Sequence, residues 1–110
     1  MSLSHESAAS IADQVRSGDR DPDAIVDAFL DRIAERNDVT NAYVTVIEAE
    51  ARAQAERVRE RVDAGEDLPL AGVPLAIKDL SSTKAGVRHT KGLAPLSDNV
   101  ADETSTVVQR

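Results

Sequence analysis

Three lysines stand among ten arginines in this chain of 110 residues, and one of the three closes an apolar run. In "LAGVPLAIKDL", residues 70–80, the run ends on Lys78 and Asp79 and then breaks into Ser81, Ser82 and Thr83. Lysine is almost never fully buried unless it is paired. Lys78 therefore either marks the exit of a strand to water or is kept inside for chemistry. On an alternating strand Val73, Leu75 and Ile77 share one face, and Pro74, Ala76 and Lys78 share the other. Small Ala76 leaves room on the lysine's side. An amine stripped of water drops from its usual pKa of ~10.4 toward the working range of ~7–8, where it can take a proton. Pattern alone leaves both readings open. Asp79 has a supporting role at most, as a turn former at the strand end.

Other groups that could do chemistry are weaker. Asp23, Asp27, Asp31 and Glu35 recur every fourth residue, which stacks four carboxylates on one helix face. With no calcium-type loop beside them they read as a solvated acidic stripe rather than a cation site. His5 and His89 are far apart and lack a metal-ligand pattern, so each reads as an exposed loop histidine and no metal or cofactor is expected. Ser81, Ser82 and Thr83 have no neighbouring base motif and read as loop polarity.

The elements that would position these groups follow from periodicity. Ala8, Ile11, Ala12 and Val15 mark a helix over 5–17, stopped at Gly18. Asp21 and Pro22 suit the N-cap and first position of a second helix, whose face is Val26, Phe29, Leu30 and Ile33 and which Asn37 can end. "NAYVTVIE" reads as a short strand running into a third helix, from about Glu48 to Ala64. Glu48–Arg52, Arg52–Glu56 and Arg59–Asp63 are i,i+4 ion pairs within it. Beyond Pro69 comes the strand that ends at Lys78. A long loop to about 102 follows, of a length uncommon without function. A last helix start is expected with Asp102 as N-cap. The chain thus divides into a helical part, 1–65, and the beginning of a β-containing part, 66–110. A lone strand needs partners for its backbone groups, and none is evident, so the chain reads as the front of a larger protein.

The net charge is −7 and there is no cysteine. An acidic, lysine-poor surface repels nucleic acid and anionic membranes, and it suits a high-salt setting in which self-repulsion is screened. Without cysteine there is no disulfide framework and no thiolate chemistry. The start, "MSLSHESAAS", has no signal-peptide pattern, and no stretch approaches a membrane span, so a cytoplasmic protein is expected.

"LAGVPLAIKDL" followed by "GVRHTKG" and "DETSTVVQR" closely resembles the N-terminal part of the amidase signature family, and "NAYVTVIEAEARAQA" resembles the stretch before that family's lysine. The resemblance runs from about residue 5 to the end. It implies an α/β fold, with N-terminal helices followed by the start of a mixed sheet covered by helices, incomplete here. It implies hydrolysis of a carboxamide through a Ser–cisSer–Lys triad, with Lys78 as the base acting through a bridging serine. No Gly- and Ser-rich segment that would carry the two serines occurs in these residues, so the 110 residues alone should be inactive. Gly92-Leu93 departs from the family's frequent Gly-Ser. Lys78-Asp79-Leu80 and His89-Thr90-Lys91 resemble a general amidase more than the A subunit of glutamyl-tRNA(Gln) amidotransferase, which stays the alternative, beside a non-catalytic helical binding module. The implied partner is a small-molecule amide, and a homodimer of the complete protein is left open.

Overall fold

The structure, a computed structural model, describes residues 2–110. The chain divides into two compact units, one ending at Pro74 and one spanning Leu75–Arg110.

The first unit is helical, and local signals set its helix ends. After a 3-10 turn at Leu3–His5, Ser7 caps α1 (Ala8–Ser17) by accepting the Ser10 N–H at 3.1 Å. Gly18, with φ 82°, ends α1 and returns its N–H to Val15 O. Asp21 caps α2 (Pro22–Thr40) through the Asp23 N–H at 3.0 Å, and Pro22 takes a first-turn position that needs no donor. α2 passes Asn37 and closes at Asn41 instead, in the left-handed conformation. The Asn37 side chain brackets Tyr43, donating to its carbonyl at 3.0 Å and accepting from its N–H at 2.9 Å. Those backbone groups are spent on a turn, and the expected strand around them is absent. α3 spans Glu48–Asp63.

Ile11, Val15, Ile25 and Ala71 form the buried centre of this unit, with Leu3, Phe29, Val58, Val62, Leu68 and Val73 packed against it. Arg16 ties the following loop to α1 by donating to Leu68 O at 3.0 Å and Pro69 O at 2.8 Å. Gly72, with φ 70°, brings that loop so close that a Cβ there would lie 2.8 Å from Val15 Cγ2. The acidic face of α2 is not merely solvated. Asp23 accepts from Arg59 at 2.8 Å and Asp27 from Arg52, so α2 and α3 lie antiparallel with charges meeting across them. Glu48–Arg52 forms within α3 at 3.0 Å as its spacing implied, while Arg52 and Arg59 also reach across to α2.

The α/β architecture with a mixed sheet is overturned: among the described residues the elements are helices, and there is no strand or sheet. Residues 73–78 run without regular structure between turns at 69–72 and 79–81. A strand exists through neighbours that take up its N–H and C=O groups, and apolar alternation supplies only a face.

In the second unit the expected loop folds on itself. Residues 83–89 run antiparallel to 99–105, with Ser105 N–H on Thr83 O, Gly86 N–H on Ala101 O, Ala101 N–H on Val87 O and His89 N–H on Asn99 O, all between 2.8 and 3.0 Å. A turn at 85–86 interrupts the pairing, another at 91–92 lies in the connection, and a single isolated bridge joins Arg88 to Val100. A 3-10 turn occupies Ala94–Leu96. The last helical turn, α4 (Thr106–Gln109), starts after Ser105 rather than Asp102.

Candidate functional site

Lys78 is exposed, as are Leu75, Ala76 and Leu80 around it. Its sequence pattern allows either a place inside an apolar strand or an exit to water, and the exposed place is the one observed. Val73, Pro74 and Ile77 are half-buried, but no sheet covers 73–78 and the Lys78 amine is exposed to water.

The residue beside it is held instead. Asp79 is enclosed by a turn eleven residues further on. Its Oδ1 accepts the Thr90 N–H at 2.7 Å, its Oδ2 accepts the Thr90 hydroxyl, and the Lys91 N–H adds a further bond. His89 Nδ1 lies 3.5 Å from Asp79 Oδ1. The Thr90 hydroxyl lowers the Asp79 pKa below its ordinary value, burial opposes this, and the backbone donors of Thr90 and Lys91 and the nearby His89 add to the lowering. Hydrogen bonds to the charged form favour it. Asp79 is accordingly an anchor, with its lone pairs engaged, rather than a proton carrier.

His89 is buried, not the exposed loop histidine expected from sequence, and Thr90 is buried to 4% exposure. Their environment is built by the chain's own return. The His89 carbonyl accepts from Asn99 Nδ2 at 2.9 Å while its N–H donates to Asn99 O at 2.8 Å. Lys91 and Gly92 then turn sharply, both with positive φ, and Gly92 N–H donates to Thr90 Oγ1 at 3.2 Å. Sequence reasoning missed this cluster, because no periodicity marks a carboxylate and a hydroxyl eleven residues apart.

The remaining candidates do not converge on Lys78. Ser81 is exposed. Thr83 spends its backbone on Ser105, whose hydroxyl also lies 3.4 Å from Thr83 N and O. His5 is exposed, in the first unit. Among the described residues no group of three or more His, Cys, Asp or Glu side chains could hold a metal ion. No described helix is long and apolar enough to cross a membrane. A shallow groove of about 330 Å³ in the first unit is lined by Leu30, Ile33, Ala34 and Val46 with Asp31 and Arg52, and no serine, threonine or lysine lies in it.

Comparison with known proteins gives these residues a context. The family model described as Amidase matches residues 24–110. The chain is 44% identical over 88 residues to the A subunit of glutamyl-tRNA(Gln) amidotransferase from Koribacter versatilis, covering 79% of this chain and 18% of that protein. It is 39% identical over 106 residues to the protein of the same name from Alkalilimnicola ehrlichii, covering 96% of this chain and 22% of the relative. To an acylamidase of Rhodococcus erythropolis it is 35% identical over 105 residues, covering 94% and 22% respectively. The chain thus spans about a fifth of the length of the curated relatives it matches. No solved structure matches it.

Proposed function

Because this chain belongs to the amidase family, we propose that it is the N-terminal part of a serine-type amide hydrolase in which Lys78 is the general base. The observation that carries this reading is the position of Lys78: its amine is open to solvent, while the next residue is fastened by a buried cluster. A reacting group needs that combination, an end free to meet its partners and a backbone that does not wander.

The chemistry runs as follows. A serine hydroxyl is a weak nucleophile until a base removes its proton. Lys78 takes that proton through a bridging serine, and the freed oxygen adds to the carboxamide carbon. The proton then passes to the leaving nitrogen as the C–N bond breaks, and water releases the acyl group from the serine. The resemblance supplies two serines that no residue of this chain matches, so they lie outside it. In this reading the parts of the enzyme that carry the serines also close over Lys78, which is exposed here.

A second reading is favoured by the relatives named as the A subunit of glutamyl-tRNA(Gln) amidotransferase, at 39–44% identity. It uses Lys78 in the same way to break a carboxamide bond and differs in the fate of the released nitrogen.

Substitution in the full-length protein tests the base. General-base help is worth about 10²–10⁴-fold, so Lys78→Ala should lower kcat/KM on a simple carboxamide, read as ammonia release, by that amount. Lys78→Arg keeps a cation that cannot be deprotonated and should fail nearly as badly. Retention of more than about a tenth of the activity by folded Lys78→Arg, a loss below the low end of general-base effects, overturns the assignment.

A further inference from the structure

We propose that Thr90 is a positioning residue for Lys78, acting through the Asp79 carboxylate. The inference rests on the reading of Lys78 as the base.

In the second unit the two buried polar residues are His89 and Thr90, at 8% and 4% exposure. Burying a hydroxyl costs free energy unless it is hydrogen-bonded, and the Thr90 hydroxyl is used twice. It donates to Asp79 Oδ2 and accepts the Gly92 N–H at 3.2 Å. The Thr90 N–H donates to the other Asp79 oxygen at 2.7 Å. Thr90 O accepts the Leu93 N–H at 3.0 Å, which closes the turn formed by Lys91 and Gly92, with φ of 54° and 70°. One residue thus locks its own turn and grips a carboxylate with two donors.

That carboxylate belongs to the residue next to Lys78, whose Cα is about 3.8 Å away along the chain. Residues 73–78 have no ladder of backbone bonds to hold them. The grip on Asp79 is the nearest tether to the Lys78 backbone among the described residues. The Asp79 side chain has its oxygens engaged, so its part is to transmit position. Misplacing a reacting group by about 1 Å can cost on the order of 10²-fold in rate. Loss of the tether should therefore appear in the chemical step rather than in substrate affinity.

The test compares Thr90→Val, which keeps the shape and removes the hydroxyl, with Thr90→Ser, which keeps the hydroxyl, in the full-length protein. Ammonia release gives kcat and KM, and thermal melting is followed in parallel. Thr90→Val should lose roughly 10- to 100-fold in kcat with KM within about twofold. Thr90→Ser should recover most of kcat even where its melting temperature stays low, because the donor to Asp79 is back. Unchanged kcat in folded Thr90→Val overturns the proposal. So does a kcat in the two variants that merely follows their melting temperatures, which would make Thr90 structural only. If Thr90→Val does not fold, Asp79→Asn, nearly the same shape with one acceptor lost, is judged by the same kcat and KM criteria. Lys78→Ala separates the two claims. If it stays active, the base reading fails. If it is inactive while Thr90→Val is fully active, the base reading survives and positioning by Thr90 does not.

Discussion

Replacing Gly72 by alanine should cost the first unit about 2–4 kcal/mol, well above Gly18→Ala, although both glycines have positive φ. Alanine in the left-handed region costs roughly 1–2 kcal/mol, and ~0.4–1 kcal/mol of that is returned because the unfolded chain loses freedom. Gly18 has nothing within 4 Å of a Cβ, so its substitution carries this conformational cost alone, about 1 kcal/mol. At Gly72 the new carbon would stand 2.8 Å from Val15 Cγ2, 3.5 Å from Val15 Cγ1 and 3.6 Å from Pro22 Cβ. Val15 is 3% exposed and stiff at χ1, so it cannot swing aside. Overpacking of this kind adds roughly 1–3 kcal/mol. The assay is urea unfolding of the 110-residue chain by circular dichroism, in molar salt that screens its −7 charge. Val15→Ala added to Gly72→Ala removes the obstructing carbons, and the pair should be less damaging than the sum by about 1 kcal/mol or more. If the two glycine substitutions agree within about 0.5 kcal/mol, or if Val15→Ala and Gly72→Ala simply add, the close approach is not what requires glycine here.

Two further expectations follow from the charged contacts. The Asp79 carboxyl, followed by carbon-detected NMR, should titrate below its ordinary value of 3.8. Because the folded value is the lower one, its stabilisation of the second unit should be complete above about 3.8 and fade as pH falls through the lowered midpoint, a dependence absent in Asp79→Asn. For Arg52 and Asp27, roughly half exposed, a double-mutant cycle should give a coupling of about 0.2–1 kcal/mol that shrinks as salt is raised; a larger, salt-independent coupling would contradict a solvated pair.

What the sequence made legible was what short-range chemistry decides. Gly18 and the Asp21-Pro22 start could be read because a cap is settled within three or four residues. The end of α2 was misplaced at Asn37, whose side chain instead engages the Tyr43 backbone while the helix runs on to Asn41. The strand expected to end at Lys78 failed for the opposite reason: its signal was local, while a strand's existence depends on distant neighbours. Lys78 could be singled out by type and position, but its exposure could not be read without knowing what packs around it. Asp79, His89 and Thr90 escaped because their association requires the turn at Lys91 and Gly92, which no apolar pattern announces. The acidic stripe was seen on one helix face, yet its partners Arg52 and Arg59 had been assigned to pairs within their own helix.

That stripe bears on how the two long helices find their alignment. Carboxylates at 23, 27, 31 and 35 repeat about once per helical turn, every four residues or about 6 Å along the axis. Sliding α3 by one turn would offer Arg59 to Asp27 and Arg52 to Asp31, an electrostatic match similar to the one observed. Charge therefore draws the helices together without fixing their register. The register is chosen by shape: Ala55 is small enough to be buried, and Val58 and Val62 reach the centre that holds Ile25. Swapping the charges of a pair should therefore disturb this alignment less than enlarging Ala55, which has no room to grow between the helices.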